Sequence, residues 1–144
     1  MKTRYTSLVS VKKNIMQKSE RALQSANANL NNASIALKLS FSELNLIDTP
    51  TTGQISDFLS SRVLLDAQRK LISHNEEWVD FANNQIRECK EQLKIDMIEY
   101  EKFNYLELQE IKEILHKRKL QEAKELDEIA LMTYENNKQK RKVS

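Results

Sequence analysis

Every seventh residue from Val9 to Leu44 is apolar: Val9, Met16, Leu23, Leu30, Leu37 and Leu44. Leu8, Ile15, Ala22, Ala26, Ala33 and Phe41 flank this ladder on the same side. One apolar rung per heptad is the pattern of a helix that packs lengthwise against another helix. A second ladder begins at Phe58 and continues through Leu65, Ile72, Val79, Ile86, Leu93 and Tyr100, widened by Ala82 and Met97. The next step lands on Glu107, and the apolar rungs move to Leu108, Ile111, Leu115, Leu126 and Ile129. Such a slip of phase has two readings: a stutter in the supercoil, or the place where one partner helix ends and another begins.

Between the ladders lies DTPTTGQ, residues 48–54, which holds the only proline and the only glycine of the 144-residue chain. Turns depend on these two residue types, so a chain with one of each is expected to bend once. The fold class expected is all-α, a long antiparallel two-helix coiled-coil hairpin forming a single domain over residues 1–144. The first arm runs over about 6–46 and the turn over 47–54, with Ser56 or Asp57 capping the helix that follows. At about 1.5 Å per residue the first arm measures about 60 Å and an unbroken second helix about 125–130 Å. The mismatch admits two solutions: the second helix runs on alone, or it breaks. SHNEE, residues 73–77, is the expected break, because Ser and Asn favour caps and local turns. That places a short connecting helix at about 55–73 and a second arm at about 76–140. Residues 22–37, ALQSANANLNNASIAL, surround their leucines with small and amide side chains, so a partner backbone can come close there. Their four asparagines lower helix propensity.

Composition narrows the function classes. Charged residues make up 31% of the chain and aromatics 6%, with good helix formers in abundance. The net charge of +2 is too small to select a strongly basic role. Residues 1–50 carry seven Lys and Arg against three Asp and Glu, and residues 51–100 carry six against nine, so the arms attract weakly. A lone Cys89 permits no internal disulfide and suits a reducing cytoplasm. The first twenty residues lack the apolar core of a signal peptide. The longest uncharged run, 22–37, is too rich in Asn and Ser to span a bilayer. A soluble protein is expected, without direct membrane insertion.

Catalysis needs convergent groups in a pocket that excludes water, and two paired helices offer none. No HxxxH or CxxC pair and no Gly-rich phosphate loop occurs. Neither an enzyme nor a metal or other cofactor is expected. Glu107, Glu110, Glu113, Glu122, Glu125 and Glu128 alternate with lysines as a solvated helix face. The basic clusters HKRK at 116–119 and KQKRK at 138–142 lack interleaved aromatics, so no nucleic-acid partner is expected. Trp78 and Phe81 lie at the seam edge, either as protein-binding anchors or packed against the other arm. Cys89, three residues after Ile86, reads as a small seam residue.

The stretch QEAKELDEIALMTY, residues 121–134, resembles the C-terminal signature of the FliJ family: a charged helix, then Leu126, Asp127, Glu128, Ile129 and Ala130, with Tyr134 soon after. KTRYTSLVSVKKNIMQKSERAL, residues 2–23, is similar to the family's basic and aromatic opening followed by a Leu-rich helix. The resemblance covers the whole chain in pattern, with specific motifs at its two ends. It implies a coiled-coil protein of the bacterial flagellar type III export apparatus, similar to the stalk of the rotary ATPase gamma subunit. Such a protein enters the export ATPase ring and promotes its assembly and activity. It also bridges the ring to the cytoplasmic domain of the export-gate membrane protein and handles export chaperones. Its implied location is the cytoplasmic side of the flagellar base. Carried over by motif, the ring-facing end holds Arg4, Lys12 and Lys13 with Leu126, Asp127, Glu128, Ile129 and Ala130, and the two chain ends pair as its tip. The family's gate-binding face, anchored on His74, falls on Val63, Ala67 and Lys70. There valine replaces the family's aromatic and lysine its small residue, so Phe58, Leu65 and His74 stand as the fallback set. The stalk of a virulence secretion system shares the architecture. A homodimeric coiled-coil scaffold, with its ladders facing their own copies, is the alternative of a different class.

Overall fold

The computed structural model describes residues 1–143, and within them the chain forms two helices and no strand. Helix α1 spans Thr6–Leu46 and helix α2 spans Ile55–Val143, and the two pack against each other as a helical hairpin. Two compact units are distinguishable. One is Lys13–Ile98; the other joins Met1–Lys12 to the chain from Glu99 onward.

The ends of the helices follow from local chemistry. Thr3 and Thr6 reciprocate at the start of α1: Tyr5 N–H donates to Thr3 Oγ1 (3.1 Å) and Thr3 N–H donates to Thr6 Oγ1 (2.8 Å). At α2 neither Ser56 nor Asp57 is the capping residue. The helix starts at Ile55, and Asp57 reaches back so that its Oδ2 accepts the Gln54 N–H at 3.3 Å. This is the returning half of a capping box, with the acid three residues inside the helix. Gly53 sits at φ +146°, and a Cβ there would lie 3.0 Å from that same Oδ2. Gly53→Ala is therefore expected to cost about 1–2 kcal/mol in urea unfolding, through backbone strain and the displaced cap; an unchanged midpoint would remove that role.

In the Lys13–Ile98 unit the seam is made of two unlike rows. The heptad rungs form the apolar row, with Ile72 and Ile86 buried and Met16, Leu23, Leu30, Leu37, Leu65, Val79 and Leu93 half-buried. Phe58, beside the loop, stays exposed. Three residues beyond each rung runs a second row of small and polar side chains. Ala26, Ala33 and Ala82 are buried there, Ala33 at 0% and Ala82 at 1% exposure. Their missing bulk lets the backbones approach, as the small residues of 22–37 foretell, while Asn27, Asn29, Asn31 and Asn32 stay exposed.

The polar members of that row find partners on the opposite helix. Ser19 donates to the Asp96 carboxylate and Asn75 bonds Ser40 Oγ. Gln68 Nε2 donates to Ser40 O (2.8 Å), and Ser61 Oγ donates to Asp48 O in the loop (3.2 Å). Sliding one arm by a heptad would keep the apolar rungs matched but set Asn75 and Asp96 against the wrong neighbours. Each buried polar group left unpaired costs about 1–3 kcal/mol, so the polar row selects the register that the apolar row alone leaves open.

The expected break at 73–77 does not occur, and with it the separate connecting helix at 55–73 and its junction with an arm starting at 76 disappear: α2 runs straight through. Asn75 ends a helix only when its amide competes for its own backbone. Here the amide is buried and turned across the seam, where Nδ2 donates to Ala36 O at 3.3 Å as well as bonding Ser40.

In the unit built on Met1–Lys12, the short start of α1 lies against α2. Thr6 Oγ1 donates to Glu107 Oε1 (2.9 Å), and Arg4 Nε lies 3.4 Å from Glu110 Oε1. Lys12 Nζ lies 3.6 Å from Glu99 and 5.6 Å from the centre of the Phe103 ring. Glu107, where the apolar ladder changes phase, thus meets the first residue of α1. The slip marks the end of the partner helix. Beyond it, residues 115–142 are all exposed.

Candidate functional site

Two surfaces of α2 present apolar groups that the hairpin does not cover. The first lies on residues 115–142. With 3.6 residues per turn, Leu108, Ile111, Leu115, Leu126 and Ile129 fall within about 60° around the helix axis. Leu126 is 66% exposed and Ile129 58%. Lys119 and Glu122 interrupt the stripe between Leu115 and Leu126, and Ala130 and Tyr134 border it. Asp127 and Glu128 are likewise exposed. Three basic residues, Lys140, Arg141 and Lys142, close the last turn, where the helix dipole favours positive charge.

The sequence-expected tip is not assembled. Arg4 is opposite Glu110 rather than the 126–130 motif, and Lys12 is held by Glu99 and Phe103. Sixteen residues separate Glu110 from Leu126, about 24 Å of helix. The chain ends therefore do not pair at the motif: α1 begins opposite Glu107, so no partner helix is left to reach it. Arg4 stays largely exposed in its pair with Glu110, Lys12 is half-buried between Glu99 and Phe103, and among the described residues Glu110 Oε2 is buried without a hydrogen-bond partner. Lys13 is exposed.

The second surface is the outward face of α2 in the Lys13–Ile98 unit. Val63, Ala67, Lys70 and His74 are all exposed, at spacings that share one side of a helix. Leu65 departs from that set, since it is a half-buried rung of the seam. Phe58 is exposed, near the start of the helix. The face also holds residues that the gate motif does not mark. Leu64, Leu71 and Trp78 recur every seven residues, as do Ala67, His74 and Phe81, and the two rows alternate at steps of three and four. All six are exposed, Trp78 at 38% and Phe81 at 59%. His74, Glu77, Trp78 and Phe81 line a shallow depression there. Trp78 and Phe81 are thus exposed to solvent rather than buried against the other arm. A third ladder was present in the sequence, hidden beside the stronger ladder of the seam.

Cys89 is half-buried beside Ser19, Ala22 and Gln92, within the seam. Among the described residues, no group of three His, Cys, Asp or Glu side chains is placed to hold a metal ion, and no helix is long and apolar enough to cross a membrane. The arrangement is suited to binding through helix faces.

The family described as "Flagellar FliJ protein" matches residues 1–139. No curated protein and no solved structure matches the chain.

Proposed function

Because the chain belongs to the FliJ family of the flagellar export apparatus, we propose that it is a non-enzymatic stalk that enters the export ATPase ring and promotes its assembly and activity. The observation that carries this is the run 115–142, a helix exposed all round that includes the stretch 121–134 resembling the family's C-terminal signature. A single helix about 10–12 Å across is a natural object to place inside a ring of subunits. The stripe of Leu126, Ile129 and Ala130 supplies apolar contact, and Asp127, Glu128 and the exposed Lys13 supply charge. The outward face with Val63, Ala67 and His74, together with Phe58, is the corresponding proposal for contact with the cytoplasmic domain of the export gate. Leu65 acts there only by holding the arms together. Export chaperones are further partners of the same stalk, working at the cytoplasmic side of the flagellar base.

The test is ATP hydrolysis by the cognate flagellar export ATPase, titrated with this protein while light scattering follows ring assembly. Hydrolysis is expected to rise several-fold, together with scattering. Unchanged hydrolysis and scattering at saturating protein would overturn the stalk reading.

A further inference from the structure

The outward ladder of α2 has a polarity that identifies its own best partner. Its rows are Leu64, Leu71 and Trp78, and Ala67, His74 and Phe81, all exposed. Stepping by three and four, they form a complete coiled-coil seam with nothing opposite. Charge is divided along it. Residues 62–70 carry Arg62, Arg69 and Lys70 against Asp66, whereas residues 74–81 carry Glu76, Glu77 and Asp80 with no Lys or Arg.

We infer that this face binds a second copy of the same chain, antiparallel, about a two-fold axis passing between residues 72 and 73. In an antiparallel seam the two rows interleave, each rung of one row facing a rung of the other. The only arrangement that uses all six rungs sets Leu64 against the second copy's Phe81, Ala67 against its Trp78, and Leu71 against its His74. Two-fold symmetry repeats each contact. The smallest rung then meets the largest, so the total bulk at each level stays even along the seam. The same register brings Lys70 beside the second copy's Glu77, and Glu77 beside its Lys70. A parallel pairing would instead set Trp78 against Trp78 and put Lys70 and Glu77 of the two copies on opposite sides of the seam, with no pair between them. Opposite charges at both ends and like charges at neither give the antiparallel copy its advantage. The pairing rests on this ladder alone and needs no export component. Since Ala67 and His74 belong also to the proposed gate contact, the two occupants exclude each other.

Trp78 is the only tryptophan of the chain, which makes the inference directly readable. The test is analytical ultracentrifugation of the 144-residue chain from about 1 µM to about 1 mM, with fluorescence at the same concentrations. The expected result is a mass rising reversibly towards twice 16.9 kDa, accompanied by a blue shift of Trp78 emission. Lys70→Glu and Glu77→Lys, each at an exposed position, are expected to weaken association at least about tenfold, and the double swap to restore it within about threefold. Circular dichroism checks that each variant keeps its helices. A mass fixed at one chain throughout overturns the inference, as does a dimer whose Trp78 emission and affinity ignore these substitutions. ATPase stimulation by the double swap separates this result from the stalk reading, since neither residue belongs to the ring-facing set.

Discussion

Replacing Ala33 with leucine is expected to destabilise the hairpin by about 2–3 kcal/mol, read from urea unfolding by circular dichroism at 222 nm. Ala33 has no exposed surface, and Ala82 on the opposite helix is nearly as enclosed. Leucine adds three carbons where the backbones come close. Overpacking of a filled site costs about 1–3 kcal/mol because neighbouring side chains or backbone must shift. Here the shift has a second consequence. The Ser40–Asn75 bond lies one heptad along the same row, and parting the helices would weaken it and expose its polar groups incompletely. Ala28→Leu on the exposed side of α1 is the control, expected to stay within about 0.5 kcal/mol of the parent. If Ala33→Leu instead raised the midpoint, the seam would have to hold more room than its burial indicates, and the account of the small-residue row would fail.

Leu126→Asp combined with Ile129→Asp is expected to leave the fold intact and abolish ATPase stimulation. Both side chains are more than half exposed in a stretch that touches no other helix, so two new carboxylates remove no packing. Unfolding free energies should agree within about 0.5 kcal/mol. At a protein interface the same change places charge where apolar anchors belong, a loss of at least about tenfold in half-maximal concentration. Leu131→Asp, on another side of this helix, should stimulate normally. Full stimulation by the double variant would remove the motif from the ring contact. Full stimulation by the double variant and loss with Leu131→Asp would move the contact to the other side.

Much of the fold was legible in the residues themselves. The two ladders, the single turn at 47–54 and the all-helical class follow from a heptad period, which is a property of sequence spacing and needs no knowledge of the partner. The phase slip at Glu107 was also legible as a signal, although both its explanations stayed open until Thr6 was found opposite it. The uncovered ladder of Leu64, Ala67, Leu71, His74, Trp78 and Phe81 has the same period as the seam. It was masked because the seam ladder is the longer of the two, and a heptad period alone does not show that a second stripe on the same helix stays uncovered.

The sequence by itself determined that this chain makes two helices, where it turns, and which family it resembles through 121–134. Tertiary structure alone decided what the ambiguous polar residues do. Asn75 breaks a helix or braces one according to which acceptor wins, and the winning acceptors, Ala36 O and Ser40 Oγ, come from 39 and 35 residues away. Arg4 and Lys12 were assigned to the ring-facing end through the resemblance, and only the fold showed Glu110 beside the first and Glu99 and Phe103 beside the second. Residues 115–142 became a candidate site for a related reason. Their apolar positions were visible in the chain, but exposure depends on whether another segment reaches them, and α1 begins too late to do so.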